Sequence, residues 1–289
     1  MTQAVPAMKQ RVPAWLGALI LLLSIAAVYG NALDGPFFLD DIESIMENPA
    51  IRRLFPLTAA LNPPPADMTF CTRPFINLTM CADYARGGLR PRPFRLTNVM
   101  FHTTAAVLLF LLLELALRAS GQDGPTARML ALICALAWAL HPLNSSAVNY
   151  LSQRGELGIG LFLFLMLYSL HRSTLPEASE RGWSLVAFFS CLLGMGSKES
   201  MAAAPLLAAA YDRIFFGASW RAVGRARGWM YAGLVLTWLW PLSRHLAYSP
   251  PLAAATIPWG TRWQYWLTQC WAIAPPTPAK KELVQKAII

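Results

Sequence analysis

Two adjacent carboxylates, Asp40 and Asp41, sit in the apolar run Phe37-Phe38-Leu39-Asp40-Asp41-Ile42-Glu43. A carboxylate pair held near apolar walls can supply a general base with a tuned pKa, or ligands for a divalent cation. The same residues would equally serve as an N-cap for a helix starting at Ile42, because Asp is a favoured cap. Two cations stand apart from the other basic residues: Arg154 in Tyr150-Leu151-Ser152-Gln153-Arg154-Gly155-Glu156, and Lys198 in Gly196-Ser197-Lys198-Glu199-Ser200. Together they could hold a phosphate, Arg through its fork and Lys as a point charge. Snorkelling, or pairing with Glu156 or Glu199, accounts for either one alone. His102 lies within an apolar run and fits a hydrogen bond to a neighbouring helix better than proton transfer.

The elements that must position these groups are set by the composition. The chain has 289 residues, 56% hydrophobic and 13% charged, with a mean hydropathy of +0.42. The expected solvent is a lipid bilayer. Eleven Trp and eight Tyr suit a membrane interface. A net charge of +9 then reflects loops facing anionic lipid, and nucleic acid is not expected as a partner.

A helix needs about 20 apolar residues to cross the hydrocarbon core. Runs of that order predict an all-α polytopic bundle of about seven transmembrane helices, at 13–30, 96–117, 127–143, 155–171, 183–197, 200–216 and 229–247. Short loops rich in Lys and Arg belong on the cytoplasmic side. With the N-terminus inside, Lys9, Arg11, Arg118, Arg128, Arg172, Arg181, Arg213, Arg221, Arg225 and Arg227 all fall there. The alternation places residues 31–95, a proline-rich first loop, outside with Arg154 and Lys198. A transporter would instead place its charges near the bilayer midplane on broken helices.

No CxxC occurs, and Cys134 and Cys191 lie in apolar runs, so a zinc site is not expected. Cys71 and Cys81 share the first loop, where an oxidising compartment permits a disulfide; two thiols are the other outcome.

The order of motifs carries a resemblance. Tyr29-Gly30-Asn31 leads to Phe38-Leu39-Asp40-Asp41 and Glu47-Asn48-Pro49-Ala50-Ile51-Arg52, then Arg73-Pro74-Phe75-Ile76-Asn77-Leu78 and Phe94-Arg95-Leu96-Thr97-Asn98-Val99 with His102. Ala139-Leu140-His141-Pro142-Leu143, Tyr150 to Leu157, Ser197-Lys198-Glu199-Ser200, Pro205 and Tyr211-Asp212 follow. In this order the chain resembles GT-C superfamily glycosyltransferases, especially the transmembrane and tetratricopeptide-repeat O-mannosyltransferase-like group, from about residue 14 to residue 273.

The resemblance implies a membrane domain over 1–273, and transfer of a sugar such as mannose from a polyprenyl-phosphate donor to a protein or glycan hydroxyl, with inversion. It maps the catalytic base onto Asp40 and Asp41; the departing lipid phosphate needs positive charge, for which Arg154 and Lys198 are the candidates, with Arg73 as a third, and Glu199 is a further candidate site residue. It covers enzymes with and without a cation, so Mg2+ or Mn2+ on Asp40 and Asp41 stays open. The expected location is a bacterial inner membrane with the catalytic loop external. Relatives continue through more spans and a repeat region, whereas residues 274–289 form a polar tail. A truncated product is therefore expected, and an inactive fragment or scaffold is the alternative to an enzyme.

Overall fold

The computed structural model describes residues 13–62, 70, 72–216 and 219–248. Lys9 and Arg11, the proline run Pro63 to Pro65, Cys71 and the tail 274–289 lie outside the described residues. Among the described residues every regular element is helical. The main helices are α1 (Ala14–Tyr29), α2 (Leu57–Leu61), α3 (Pro74–Gly87), α4 (Pro91–Ala119), α5 (Gly124–Ala139) and α6 (Asn144–Asn149). They are followed by α7 (Arg154–Arg172), α8 (Glu180–Met195), α9 (Ala204–Phe215), α10 (Trp220–Leu236) and α11 (Leu239–Tyr248).

Six of the seven predicted runs each coincide with one helix, but their lengths differ from the expectation. Ala14–Ala32 and Pro91–Ala119 are long and apolar enough to cross a membrane, while Gly124–Ala139 is a shorter apolar helix. At 1.5 Å per residue, the 12 residues of α9 reach about 18 Å, well short of a hydrocarbon core. The seventh run is not one helix, because Thr237 and Trp238 separate α10 from α11.

Two apolar clusters build the bundle. In the first, α1 and α5 lie against α4. Gly17 is required there, since a Cβ would come within 2.7 Å of the Phe110 ring. The α5 seam is Ala127, Ala131, Ala135 and Ala139, one small residue per turn, which lets two helices approach closely. The second cluster joins α7, α8, α9 and α10 through Met166, Leu170, Cys191, Ala208 and Leu234. On the opposite faces large apolar side chains remain exposed, among them Leu22 and Leu23 on α1, Ile133 on α5 and Phe189 on α8.

The predicted first loop is not irregular. It contains α2, α3 and three short helical turns, Gly30–Ala32, Ile42–Met46 and Pro49–Arg52. Pro74 starts α3 at a position where a missing N–H costs nothing. Gly88 ends it at φ 59°, a conformation that favours glycine. The region has its own apolar cluster, in which Ile45, Ile51, Ile76, Met80, Phe94 and Leu151 are fully buried.

Candidate functional site

The acidic pair divides into one buried and one exposed carboxylate. Asp41 is fully buried. Its Oδ1 accepts the Ser152 N–H at 2.8 Å, and its Oδ2 accepts the Phe38 N–H at 3.5 Å. Burial pushes the Asp41 carboxyl above its ordinary value; the two amide donors and the Arg95 charge oppose that push, and the neighbouring Asp40 charge adds to it. Asp41 occupies the N-cap position of the Ile42–Met46 turn but makes no side-chain cap bond, so the cap expected from sequence is replaced by a long-range clip. Asp40 is exposed. Its N–H donates to the Tyr150 hydroxyl at 3.0 Å, and the Phe38 ring stacks on Tyr150 at 4.9 Å.

Arg95 fixes the same segment from α4. Its guanidinium donates to the carbonyls of Gly35 and Pro36, and Nε donates to the Asn149 carbonyl at 3.4 Å. The acidic loop is therefore held against the stretch 149–152 that leads into α7.

Arg154 does not stand at a surface. It is completely buried, with Nε on Asn98 Oδ1 at 2.7 Å, Nη1 on Thr79 Oγ1 at 3.0 Å and Nη2 on the Phe94 carbonyl at 2.8 Å. Its ion-pair partner is Asp83, with Nη1 to Oδ2 at 2.7 Å. Asp83 also accepts from the Thr97 hydroxyl at 2.7 Å and from Arg86 at 2.9 Å. A guanidinium engaged on these sides and closed to solvent does not offer a fork to a phosphate, which corrects the assignment made from sequence. Asp83 was not among the sequence candidates. Its signal was present: on α3 it falls seven residues after Ile76 and three after Met80, on the buried face.

Lys198, Arg73, Glu156 and Glu199 form a second, accessible group. Lys198 Nζ pairs with Glu156 Oε1, and both side chains are partly exposed. Arg73 Nη2 reaches Glu199 Oε2 at 3.4 Å, and its buried Nε has no hydrogen-bond partner. Glu199 also accepts the Thr72 hydroxyl at 2.8 Å. Burial would raise the Glu199 carboxyl, but its own backbone N–H, the Arg73 charge and the Thr72 hydroxyl outweigh that and hold it below the usual value. The Phe75 N–H donates to the Gly196 carbonyl at 3.1 Å, which fixes the start of α3 to the turn carrying Lys198. Glycine at 158 lets α7 approach the same turn, since a Cβ would fall 2.8 Å from Ser197.

His102 is buried in the bundle, with Nε2 at 2.8 Å from the Ala139 carbonyl and its ring against Tyr29 and Trp138. It does not join the acidic pair. Cys81 is buried on α3, with Sγ 3.5 Å from the Ala50 carbonyl. The proposed disulfide partner Cys71 is outside the described residues. Among the described residues no group of three or more His, Cys, Asp or Glu is placed to hold a metal ion. Because Asp41 turns inward to amides, the pair does not present two carboxylates to one cation.

An exposed carboxylate, Asp40, and the partly exposed pairs of Lys198 and Arg73 are thus the accessible charged groups among the sequence candidates. The relatives that the chain resembles in sequence are glycosyltransferases, named as protein O-mannosyl-transferases. Protein O-mannosyl-transferase tmtc2 of Xenopus laevis is 35% identical over 147 residues, covering 50% of this chain and 17% of the relative. Human TMTC4 is 26% identical over 227 residues, 71% of this chain and 30% of the relative. Drosophila melanogaster Tmtc1 is 28% identical over 192 residues, 64% and 21% respectively. The chain thus spans less than a third of the length of each of these relatives. No family model matches the chain, and no solved structure matches it.

Proposed function

We propose that this chain is the membrane-embedded part of a glycosyltransferase of GT-C type, moving a mannose-like sugar from a polyprenyl-phosphate donor to a hydroxyl acceptor with inversion. The observation that carries the reading is the split acidic pair: a buried Asp41 clipped to Ser152, and beside it an exposed Asp40. In this reading Asp40 takes the proton of the attacking hydroxyl, and Asp41 positions it. The oxygen attacks the anomeric carbon, the bond to the lipid phosphate breaks, and the phosphate departs with the bonding pair.

Lys198 and Arg73 are the cations for the departing phosphate, since Arg154 is committed to Asp83. Each is paired with a carboxylate, Glu156 or Glu199, so an incoming phosphate would exchange partners with it. The membrane reading is supported by the two long apolar helices and by the exposed apolar faces of α1, α5 and α8. About seven passes, some made by helices shorter than the hydrocarbon core, with the Asp40 end outside the cytoplasm, is the topology we propose.

The test is incubation of the purified protein in lipid with polyprenyl-phosphate sugars and an acceptor extract. Transfer by the native chain that is lost in Asp40→Asn supports the reading. Transfer that survives removal of both Asp40 and Asp41 carboxylates would sink the proposed base.

A further inference from the structure

A second charged site lies at the far end of α7. Its 19 residues, Arg154–Arg172, carry the chain about 27 Å away from the acidic loop. There the ends of α4 and α7 and the start of α5 line an open cavity of about 250 Å3, to which Arg118, Arg128, Arg172 and Glu114 all contribute. Liquid water occupies roughly 30 Å3 per molecule, so the space exceeds what a halide or a single water needs.

The lining carries three guanidinium groups and one carboxylate. Glu114 Oε1 accepts from Arg118 Nη2 at 2.5 Å and from Arg128 Nε at 3.0 Å and Nη2 at 2.7 Å. One carboxylate thus gathers two guanidinium groups into the cavity wall. Arg172 is not drawn into that knot. Its guanidinium lies over the Trp183 ring at 5.3 Å, a contact that orients the plane without using its N–H donors. Its buried Nε has no hydrogen-bond partner. A wall lined by three guanidinium groups, one of them with an unpartnered Nε, attracts an anion with several oxygens, and guanidinium geometry matches phosphate. Tyr168 of α7 completes the lining with Leu111 and Leu115, which form an apolar strip along α4 that suits an alkyl chain attached to that phosphate.

We infer that this cavity binds a phosphate group, with Arg172 as its principal donor and Arg128 and Arg118 contributing charge. An anionic lipid headgroup and a soluble phosphate present the same chemistry. The inference does not depend on sugar transfer, so it stands or falls separately from the proposed active site.

The experiment is native mass spectrometry of the full chain released from mixed phosphatidylglycerol and phosphatidylcholine vesicles, with inorganic phosphate or pyrophosphate added in excess in parallel. Retention of phosphatidylglycerol over phosphatidylcholine is expected, falling about tenfold in Arg172→Gln, the loss of roughly one charge-assisted hydrogen bond. Persistence of the lipid adduct in excess phosphate identifies a lipid headgroup; its displacement identifies a soluble phosphate. Equal retention of both lipids by the native chain, or undiminished phosphatidylglycerol on Arg172→Gln, overturns the inference. Should Arg172→Gln fail to fold, thermal unfolding of the native chain with and without phosphatidylglycerol decides the matter. A rise in Tm supports the site, and no shift overturns it.

Discussion

Arg154 and Glu156 are two residues apart on α7, yet they belong to opposite kinds of electrostatics. Successive helical residues are turned by about 100°, so two positions separated by two point about 200° apart. Arg154 therefore faces inward to Asp83, Asn98 and Thr79, all in contact distance and sealed from solvent. Glu156 faces outward to Lys198, with both side chains partly in solvent. A charge pair closed to water is held by many donors and is costly to break, whereas a solvated pair contributes little and exchanges partners easily. The first kind suits a structural pin, and the second suits a ligand site.

The sharpest way to break that distinction is to remove one partner of the buried pair. Arg154→Met should cost roughly 3–5 kcal/mol by leaving Asp83 charged and alone, read by denaturant unfolding in detergent. Adding Asp83→Leu should recover much of the loss; if the single substitution is silent, the pair is not a pin. Asp40→Asn comes next. It should lower the transfer rate by about 10²- to 10⁴-fold with Tm unchanged, and a matching fall in Tm would reassign Asp40 to structure.

Lys198→Gln should raise KM for the polyprenyl-phosphate donor by about tenfold, more than it lowers kcat, because one phosphate contact is worth on the order of 1.5–3 kcal/mol. An unchanged KM would remove Lys198 from the donor site. Asp41 gives a pH signature. Its folded carboxyl holds its proton above the unfolded value near ~3.9, so rising pH through that window ionises a buried group and lowers stability. Asp41→Asn should flatten that part of the pH–stability curve, and an identical curve would contradict the buried environment. The smallest effect is expected from Glu199→Gln, whose partly solvated pairing with Arg73 should be worth under about 1 kcal/mol in an unfolding measurement.

Local sequence made α1 and α4 legible because each is a single long apolar run with charge or proline at its ends. It could not give helix length, since the apolar runs of α8 and α9 stood out in the same way but form helices of only 16 and 12 residues. The structure of the first loop was hidden, because its apolar residues Ile45, Ile51, Ile76 and Phe94 are spread over four elements and cluster with Leu151, far along the chain. Asp40 and Asp41 stood out as a pair, but their different roles come from Ser152 and Tyr150, more than a hundred residues away. Arg154 stood out as an isolated cation for the same reason: Asp83 is its partner across 71 positions of sequence, and no local pattern links them.

The clip between Asp41 and the Ser152 amide spans 111 residues. At synthesis rates of about 5–20 residues per second, roughly 5 to 20 seconds separate the appearance of its two halves. Throughout that interval the first loop has been made but lacks the surface it docks on. The region that emerges early is therefore among the last to reach its native contacts, and a nascent chain halted before α7 would display Asp40 and Asp41 on a segment still without its anchor.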